Sequence, residues 1–205
     1  MTSVAIIQPY FLAYPGYYQT LDSVDKWVVF DDVQFPRRGW VHRNRFLTGS
    51  GVEQWGTLSL RKAPQEASIA TMTLAEPGSS QLERLRSRFP ALRELTEVLP
   101  AVAEAFSCEH LSDLLVHLNR AILEFLGIDV EILRSSNIDY DRSSGAQSKI
   151  ISICKKLDAS IYVNPSGGRH LYDAESFAQQ GLVLRFSPEY SSFRLSIAEW
   201  IAAQR

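Results

Sequence analysis

Apolar runs and helix-like spacings alternate at the start of the chain. Residues 4–7 and 26–30 are short runs with β-branched or aromatic side chains, as is typical of buried strands. Gln8-Pro9 ends the first run, because proline cannot donate to a continuing ladder. Residues 17–24 place apolar side chains on one helical face. A strand, a short helix and a strand within about thirty residues predict a βαβ unit with parallel strands.

The middle of the chain changes from strand patterns to helical ones. Residues 55–60 and 69–74 alternate apolar and polar positions, which predicts two half-buried strands. Ser112 is predicted to be the N-cap of the strongest helix and Gly127 to end it. Apolar residues spaced by three and four predict helices over residues 81–89, 91–99 and 111–126, which together form a helical insertion over about residues 79–126.

The final third returns to alternating strands and helices. Strands are predicted over residues 129–133, 160–163 and 182–186, and helices over residues 146–157, 174–180 and 197–204. This order predicts an α/β fold with a mostly parallel, Rossmann-like sheet. Because no clear linker or repeat interrupts the chain, residues 1–205 are predicted to form a single domain that contains the insertion.

Composition and charge argue against several classes of protein. The 205 residues carry a formal net charge of −2, so the overall charge does not favour nucleic acid as a partner. No apolar run approaches the roughly 20 residues of a membrane span. No basic region precedes the first apolar run, as it would in a signal peptide. Two cysteines predict no disulfide framework, so we expect a reduced, cytoplasmic protein without a membrane span.

Three loops are predicted to carry the chemistry. Ligands of open parallel sheets bind in the crevice beyond the carboxyl ends of the strands. This rule selects residues 8–16, 31–45 and 164–172, which are rich in glycine, proline and polar side chains. We predict that residues 31–45 wrap the mouth of the main pocket. Residues 8–10 and 164–172 are predicted to form its other walls.

Four arginines stand close together in the stretch DDVQFPRRGWVHRNRF. Their guanidinium groups keep their charge at any accessible pH, and these planar groups suit phosphate or carboxylate. Trp40 offers a flat surface for an aglycone, a base or a guanidinium. At least two of the four are predicted to point into an anion site; the alternative is a solvated basic edge that pairs with nearby acids. The arginines are Arg37, Arg38, Arg43 and Arg45.

Two adjacent carboxylates, Asp31 and Asp32, stand at the end of the second predicted strand. They are candidates for a general base, for gripping substrate hydroxyls or for holding Mg²⁺. Because neighbours in an extended segment face opposite ways, one of the pair is predicted to be structural.

Further polar groups complete the predicted site. Asn44, Asn164 and the amides of Gly167 and Gly168 are candidate donors to a developing oxyanion, and His170 is a candidate for proton transfer. The two glycines allow close approach of the backbone to a ligand, although Gly-Gly turns are also common in ordinary loops. No Lys-Ser/Thr pair follows them, so the segment is not a P-loop.

Histidine and cysteine spacing favours no metal site. No Cys or His lies at zinc spacing. The sequence does not identify a cofactor. Cys108, beside Glu109 and His110, is a candidate thiol nucleophile, but adjacent side chains point apart on most backbones. Cys154 lies on an apolar helix face and is predicted to belong to the core.

Two long motifs resemble a known family. The stretch IIQPYFLAYPGYYQTLDSVDKWVVFDDVQFPRRGWVHRNRF resembles the N-terminal signature of the WbqC-like family, and YVNPSGGRHLYDAESFAQQGLVLRF resembles its second signature. The ending LSIAEWI is similar to its closing segment, so the resemblance covers about residues 4–200. One departure lies at Ala13-Tyr14-Pro15, where the family more often has Pro-Tyr-Leu. By match to the motifs, the signature positions are Gln8, Tyr10, Gly16, Asp31, Asp32, Arg37, Trp40, Arg43, Asn44, Arg45, Asn164, Gly167, Gly168 and Tyr172.

The resemblance implies a biosynthetic role rather than a defined reaction. Members of the family are typically encoded among genes for O-antigen and other surface polysaccharides, or for specialised metabolites. This implies a small-molecule step in a bacterial cytoplasm, with a group transferred to an amine or hydroxyl. The order of strand, QPY, Pro-Gly turn, helix and strand is also similar to the layout of HIGH-type nucleotidyltransferases and pantoate ligases. Because the corresponding YPGY holds no histidine, this likeness supports the fold and not ATP chemistry.

Three functions from different classes stay open. The leading hypothesis is a transferase whose arginines hold an anionic donor or acceptor, such as a sugar nucleotide or a phosphopantetheine-borne group. The alternative is a non-catalytic binding module for an anionic metabolite or a carrier domain. A scaffold within a multi-enzyme complex is the third. The sequence indicates neither the group transferred nor the oligomeric state.

Overall fold

The computed structural model describes residues 1–204. In chain order, the strands and helices are β1 Ser3–Ile7, α1 Pro15–Asp22, β2 Lys26–Val29, β3 Arg43–Leu47, β4 Glu53–Thr57, α2 Gly78–Arg88, α3 Pro90–Val98, α4 Pro100–Glu104, α5 Leu111–Leu126, β5 Glu131–Arg134, α6 Ala146–Lys156, β6 Ile161–Asn164, α7 Ala174–Ala178, β7 Val183–Phe186 and α8 Ile197–Ala202. The chain divides into two compact units, described separately below. The first contains Met1–Gln8, Gly16–Phe30 and Ile128–Ser191, and the second contains Pro9–Pro15, Asp31–Gly127 and the chain from Ser192 onward. The predicted single domain stays a prediction.

The first unit is built on a five-stranded parallel sheet with the order β5-β2-β1-β6-β7. Numbered as the strands follow along the chain, this is the 3-2-1-4-5 order of a doubly wound sheet, so the predicted Rossmann-like α/β fold is confirmed. The order reverses between β1 and β6, which pair at Ser3–Ile161 and Val4–Tyr162, near their N-terminal ends. Their carboxyl ends form the topological switch point, where open sheets bind ligands.

Helices cover both faces of this sheet. On one face, Phe177 of α7 stacks on Tyr162 of β6, with ring centroids 5.5 Å apart, and Cys154 of α6 joins the same core. On the other face, Tyr17 of α1 meets Trp27 of β2 edge-on at 6.0 Å. Strands that are buried on both faces have continuous apolar runs in their sequence, as β1 and β2 do. Cys154 is fully buried and burial raises its pKa to about 12, which confirms its predicted place in the core.

Helices dominate the second unit. The four helices α2 to α5 occupy the stretch predicted as a helical insertion. The boundaries of α5 match the prediction, and Gly127 ends it in the left-handed conformation with φ 70°. The predicted strand over residues 69–74 is wrong in its first half, because Ile69–Thr71 form a 3₁₀ helix, whereas Thr73 and Leu74 form isolated β-bridges with His110 and Leu60. Ile69 packs in the core, and the main chain of this 3₁₀ helix bonds to the segment after β2, with Ala70 N donating to Asp31 O at 2.8 Å.

Strands β3 and β4 form an antiparallel hairpin in the second unit. Asn44 and Phe46 on β3 point inward, and their neighbours point outward. Opposite Asn44 lies Gly56, which has no side chain to block the Phe46 ring; a Cβ there would lie 2.7 Å from that ring. The hairpin is therefore anchored to the core by one face, and the other face carries charged and aromatic side chains.

The closing helix α8 fixes the free edge of β3. The main-chain N of Leu47 donates to Oε1 of Glu199 at 2.8 Å. Ser196 N donates to Arg45 O at 3.2 Å, and the Ser196 hydroxyl caps α8 by accepting from Ala198 N. The C-terminal segment thus supports the strand that presents two of the arginines.

Candidate functional site

The outer face of the hairpin presents two arginines and a tryptophan. Side chains on a strand alternate, so Arg43 and Arg45 share the outer face of β3. Trp55 lies directly across from Arg45 on β4 and joins the same face. Its side chain is 41% exposed, so the indole is available to a partner from solvent.

Trp40 completes a compact group with these three side chains. Its ring centroid lies 5.1 Å from that of Trp55, with an angle of 47° between the ring planes. The Arg43 Cζ lies 4.3 Å from the Trp55 centroid, and the Arg45 Cζ lies 5.4 Å from the Trp40 centroid. Such cation–π contacts contribute about 0.5–1 kcal/mol each at exposed sites. Below, the Arg–Trp cluster means Trp40, Arg43, Arg45 and Trp55.

The Arg43 guanidinium is held in place by main-chain oxygens. Its Nε donates to Gly39 O at 3.2 Å and its Nη2 to Arg38 O at 2.7 Å. A guanidinium has five N–H groups, so three of them remain for a ligand. Among residues 1–204, no carboxylate lies within ion-pair distance of Arg43. It is therefore a fixed cation with donors to spare.

The other three arginines differ in their partners. Arg45 Nη1 pairs with Glu53 Oε1 at 2.6 Å, as a solvated basic edge predicts. Arg37 Nη2 donates to Ala63 O at 2.8 Å and so holds a neighbouring loop, and Arg38 is exposed. In the described chain neither Arg37 nor Arg38 has a carboxylate partner. Pairing with nearby acids thus accounts for one arginine of the four.

The two adjacent carboxylates have different surroundings. Asp31 is fully buried, and its Oδ2 accepts from the Ser112 hydroxyl at 2.8 Å. Asp32 is half-buried. Ser112 therefore does not cap α5 as predicted; the N-cap position belongs to His110, and Ser112 lies in the first turn of the helix. The sequence predicts that one carboxylate of this pair is structural. The burial of Asp31 and its bond to Ser112 are those of a structural carboxylate.

Asn44 ties the loop after β1 to the hairpin. Its Nδ2 donates to Phe11 O at 3.0 Å and to Leu12 O at 2.6 Å, and its Oδ1 accepts from Arg45 N. Leu12 has φ 45°, a left-handed conformation that a leucine adopts only when its surroundings hold it. Asn119 of α5 adds a bond from Nδ2 to Tyr10 O at 3.0 Å. The role of Asn44 as an oxyanion donor stays a prediction beside this structural one.

His42, the residue before β3, is a neutral side chain. Burial, and secondarily the charge of Arg43, lower its pKa to about 4. The imidazole is therefore uncharged at neutral pH. Its Nδ1 is buried without a hydrogen-bond partner in the part of the chain that the structure describes, and its ring lies 5.0 Å from that of Phe35.

The first unit gathers polar groups at the carboxyl end of β6. Asn164 is buried, its Oδ1 accepts from the Tyr162 hydroxyl at 2.9 Å and its Nδ2 donates to Pro165 O at 3.0 Å. The Tyr172 hydroxyl lies 3.3 Å from that of Tyr162. Burial raises the pKa of Tyr162 well above its usual value, so this phenol stays protonated. Asn164 and Tyr172 thus form a fixed polar group at the switch point of the sheet.

The sequence model of the WbqC-like protein family matches residues 8–199. The chain belongs to this family. It is 25% identical to the uncharacterized protein Rv1507c of Mycobacterium tuberculosis, over 95% of this chain and 85% of the relative. No solved structure matches the chain.

The family's signature positions fall into both units. In the second unit the structure brings Trp40, Arg43 and Arg45 together, and in the first it brings Asn164 and Tyr172 together. The other predicted site residues of the first unit have separate surroundings: Gln8 accepts from the Tyr17 hydroxyl through its carbonyl, Gly16 is buried in α1, and Gly167, Gly168 and His170 lie on the 3₁₀ helix Ser166–Leu171. The predicted pocket with walls from residues 8–10, 31–45 and 164–172 stays a prediction.

Two residues near the predicted site of the second unit, the exposed Trp55 and the buried Asn119, have no role predicted from the sequence. Trp55 lies in a predicted strand, and its exposed indole on the outer face of the hairpin is the signal that marks it as a contact residue. Asn119 carries no local signal, because its partner Tyr10 O lies 109 residues away.

In the described residues, no group of three or more His, Cys, Asp or Glu side chains is arranged to hold a metal ion. Within the same part of the chain, no helix is both long and apolar enough to cross a membrane.

The Gly-Gly turn of the family's second signature offers a test with its own control. A Cβ on Gly168 would lie 2.1 Å from Asn164 Nδ2, whereas a Cβ on Gly167 would meet nothing within 4 Å. We expect Gly168→Ala to displace the Asn164 side chain and to lower the free energy of unfolding by about 1–3 kcal/mol, as overpacking does. Gly167→Ala should stay within about 0.5 kcal/mol of wild type in urea unfolding. Equal stabilities for the two variants would contradict the close packing at Asn164.

Proposed function

We propose that this protein is a small-molecule transferase whose Arg–Trp cluster holds the anionic part of a substrate. The reaction class we propose is transfer of an acyl, aminoacyl or related group to an amine or hydroxyl. Its setting would be the biosynthesis of a surface polysaccharide or specialised metabolite in a bacterial cytoplasm. Family membership supports the setting, and the cluster supports the anionic substrate.

The observation that carries the proposal is that the Arg43 guanidinium is fixed in place and has no acidic partner in the described chain. Two carbonyl oxygens fix its guanidinium over the Trp55 ring, and no acid of the described chain neutralises it. Such a group is pre-organised for binding. Because its side chain is already fixed, little side-chain freedom is lost when a ligand binds. Its unused N–H groups form a planar edge that matches two oxygens of a phosphate or carboxylate.

The tryptophans favour a ligand with both a charge and a flat or apolar part. Trp40 and Trp55 present adjacent indoles, and such rings stack on bases and sugars. A sugar nucleotide satisfies both requirements. A phosphopantetheine-borne group does so as well, with its phosphate at the arginine and its pantetheine arm along the indoles.

The accessible carboxylate of the pair is our candidate for the general base. Asp32 is half-buried, whereas Asp31 is enclosed and bonded to Ser112. A base must reach the proton of the attacking amine or hydroxyl, which favours Asp32. Only the sequence supports the catalytic roles proposed for the other groups, which are Asn44, Asn164, His170 and the Gly167–Gly168 amides.

The alternative is a non-catalytic module that binds an anionic metabolite or a carrier domain. One observation favours it: of the two carboxylates proposed as catalytic, Asp31 is fully buried. The Arg–Trp cluster would then bind its ligand without turnover.

Ligand screening followed by one substitution separates the two functions. Sugar nucleotides and acyl-phosphopantetheine compounds are first screened by thermal shift, since a ligand of the native state raises the apparent Tm. The protein is then incubated with the best ligand and a set of amine and hydroxyl acceptors, and products are detected by mass spectrometry. We expect Asp32→Asn to lose turnover by about 100-fold or more while it keeps most of its affinity. No product from wild type with any acceptor, despite tight binding, would favour the binding module.

A further inference from the structure

A second reactive group lies in the second unit, beside α5. Cys108 follows the 3₁₀ turn Ala105–Ser107 and is half-buried. Its Sγ lies 3.4 Å from Nδ1 of His117. The same Nδ1 lies 2.9 Å from the main-chain oxygen of Asp113. Because a carbonyl oxygen can only accept, Nδ1 must carry the proton, and this one N–H is shared between the closer Asp113 oxygen and the Cys108 sulfur.

An N–H donor at this distance changes the chemistry of a thiol. It stabilises the thiolate more than the thiol, and the thiolate is the nucleophile in thiol–disulfide exchange. Cys154 provides the contrast within the same chain, because it is fully buried and burial raises its pKa to about 12.

Space for a small molecule adjoins the Cys108 thiol. A cavity of about 300 Å³ is lined by Cys108 and His117 together with α4 and α5. Three alanines, Ala101, Ala105 and Ala121, form part of its wall, and their short side chains leave the space open. This volume is at the lower end of the range for small-molecule sites.

Charges of both signs surround this cavity. Arg120 lies one turn beyond His117 on α5, and Glu104 and Glu124 add two carboxylates. Within residues 1–204, none of the three forms an ion pair. A wall with one guanidinium and two carboxylates complements a ligand that carries both ammonium and carboxylate groups, because only such a ligand gives each charge a partner, and it disfavours a dianion.

We propose that Cys108 is a site of reversible modification by a zwitterionic small-molecule disulfide, of the amino-acid disulfide class. The Cys108 thiol gives up its proton to solvent, and the thiolate attacks one sulfur of the disulfide. A protein–ligand S–S bond forms as the S–S bond of the ligand breaks. The released thiolate takes a proton from solvent, so the disulfide itself is the oxidant and the exchange is balanced. This activity does not depend on the Arg–Trp cluster.

The test uses the folded chain and three disulfides that differ in charge: cystine, the dication cystamine and the dianion dithiodipropionate. Intact-mass spectrometry gives the rate of adduct formation, and peptide mapping gives the site. We expect the adduct on Cys108, faster with cystine than with the other two. His117→Ala should slow it about ten-fold, since a hydrogen bond to a charged group is lost. His117→Asn keeps an N–H donor near the same place and should keep most of the rate.

Two controls complete the experiment. His110→Ala changes an exposed histidine near the same helix end and should leave the rate unchanged. Circular dichroism checks that each variant is folded. An unchanged rate in His117→Ala, an adduct on Cys154, or equal rates for the folded and urea-unfolded chains would each overturn the proposal. Faster reaction with cystamine or dithiodipropionate would overturn the zwitterionic ligand class.

Discussion

Replacing Asn44 with alanine is expected to lower the free energy of unfolding by about 2–4 kcal/mol. The buried amide donates to Phe11 O and Leu12 O and accepts from Arg45 N, so its loss leaves three main-chain groups without that partner. It also removes the shorter of two hydrogen bonds to Leu12 O, the other coming from Ile197 N, and so weakens the hold on Leu12 at φ 45°. Urea unfolding measures the loss, and amide hydrogen exchange at Phe11 should become faster.

Two further variants make this prediction specific. Asn44→Asp has almost the same shape, but a carboxylate cannot donate and would face two carbonyl oxygens, so it should destabilise at least as strongly as alanine. Asn137→Ala, at an exposed asparagine of the first unit, should change stability by less than about 0.5 kcal/mol. If Asn44→Asp proved as stable as wild type, the loop would not depend on the amide.

Parts of the fold with a strong local pattern could be predicted from the sequence. The boundaries of α5 matched because its apolar period and its terminal glycine are both local signals. The strand predicted over residues 69–74 failed in its first half, although the sequence alternates there in the same way as in a true strand. There the apolar side chains are buried, and the main-chain N of Ile69 and of Ala70 donates to the segment after β2 rather than to a neighbouring strand.

The candidate site was only partly predictable, and for a different reason. The sequence locates the arginines and the two carboxylates, but a side chain's partner is decided by the fold. Asn44 reaches Leu12 O, 32 residues away, and Asp31 reaches the Ser112 hydroxyl, 81 residues away. Neither pairing has a local signal. The same holds for Arg43, since only the folded hairpin places its guanidinium over Trp55.

Replacing Arg43 with lysine is expected to weaken binding of the anionic ligand by about 10–100-fold. Lysine keeps the positive charge but loses the planar fork, and it cannot keep both bonds to Arg38 O and Gly39 O while lying flat on the Trp55 ring. Arg43→Ala should weaken binding at least as much. The fold should tolerate both changes, because Arg43 lies on the outer face of the hairpin and its cation–π contact with Trp55 contributes about 1 kcal/mol or less.

Isothermal titration calorimetry of wild type, Arg43→Lys and Arg88→Lys, with the best sugar nucleotide or phosphopantetheine ligand from the screen, tests the central claim most directly. Arg88 is the matched control, an exposed arginine of the same unit that contacts Gln54 of β4. We predict that the Kd rises about 10–100-fold in Arg43→Lys and stays unchanged in Arg88→Lys, and that added salt weakens wild-type binding. Equal Kd values for wild type and Arg43→Lys would contradict an anion site at the Arg–Trp cluster.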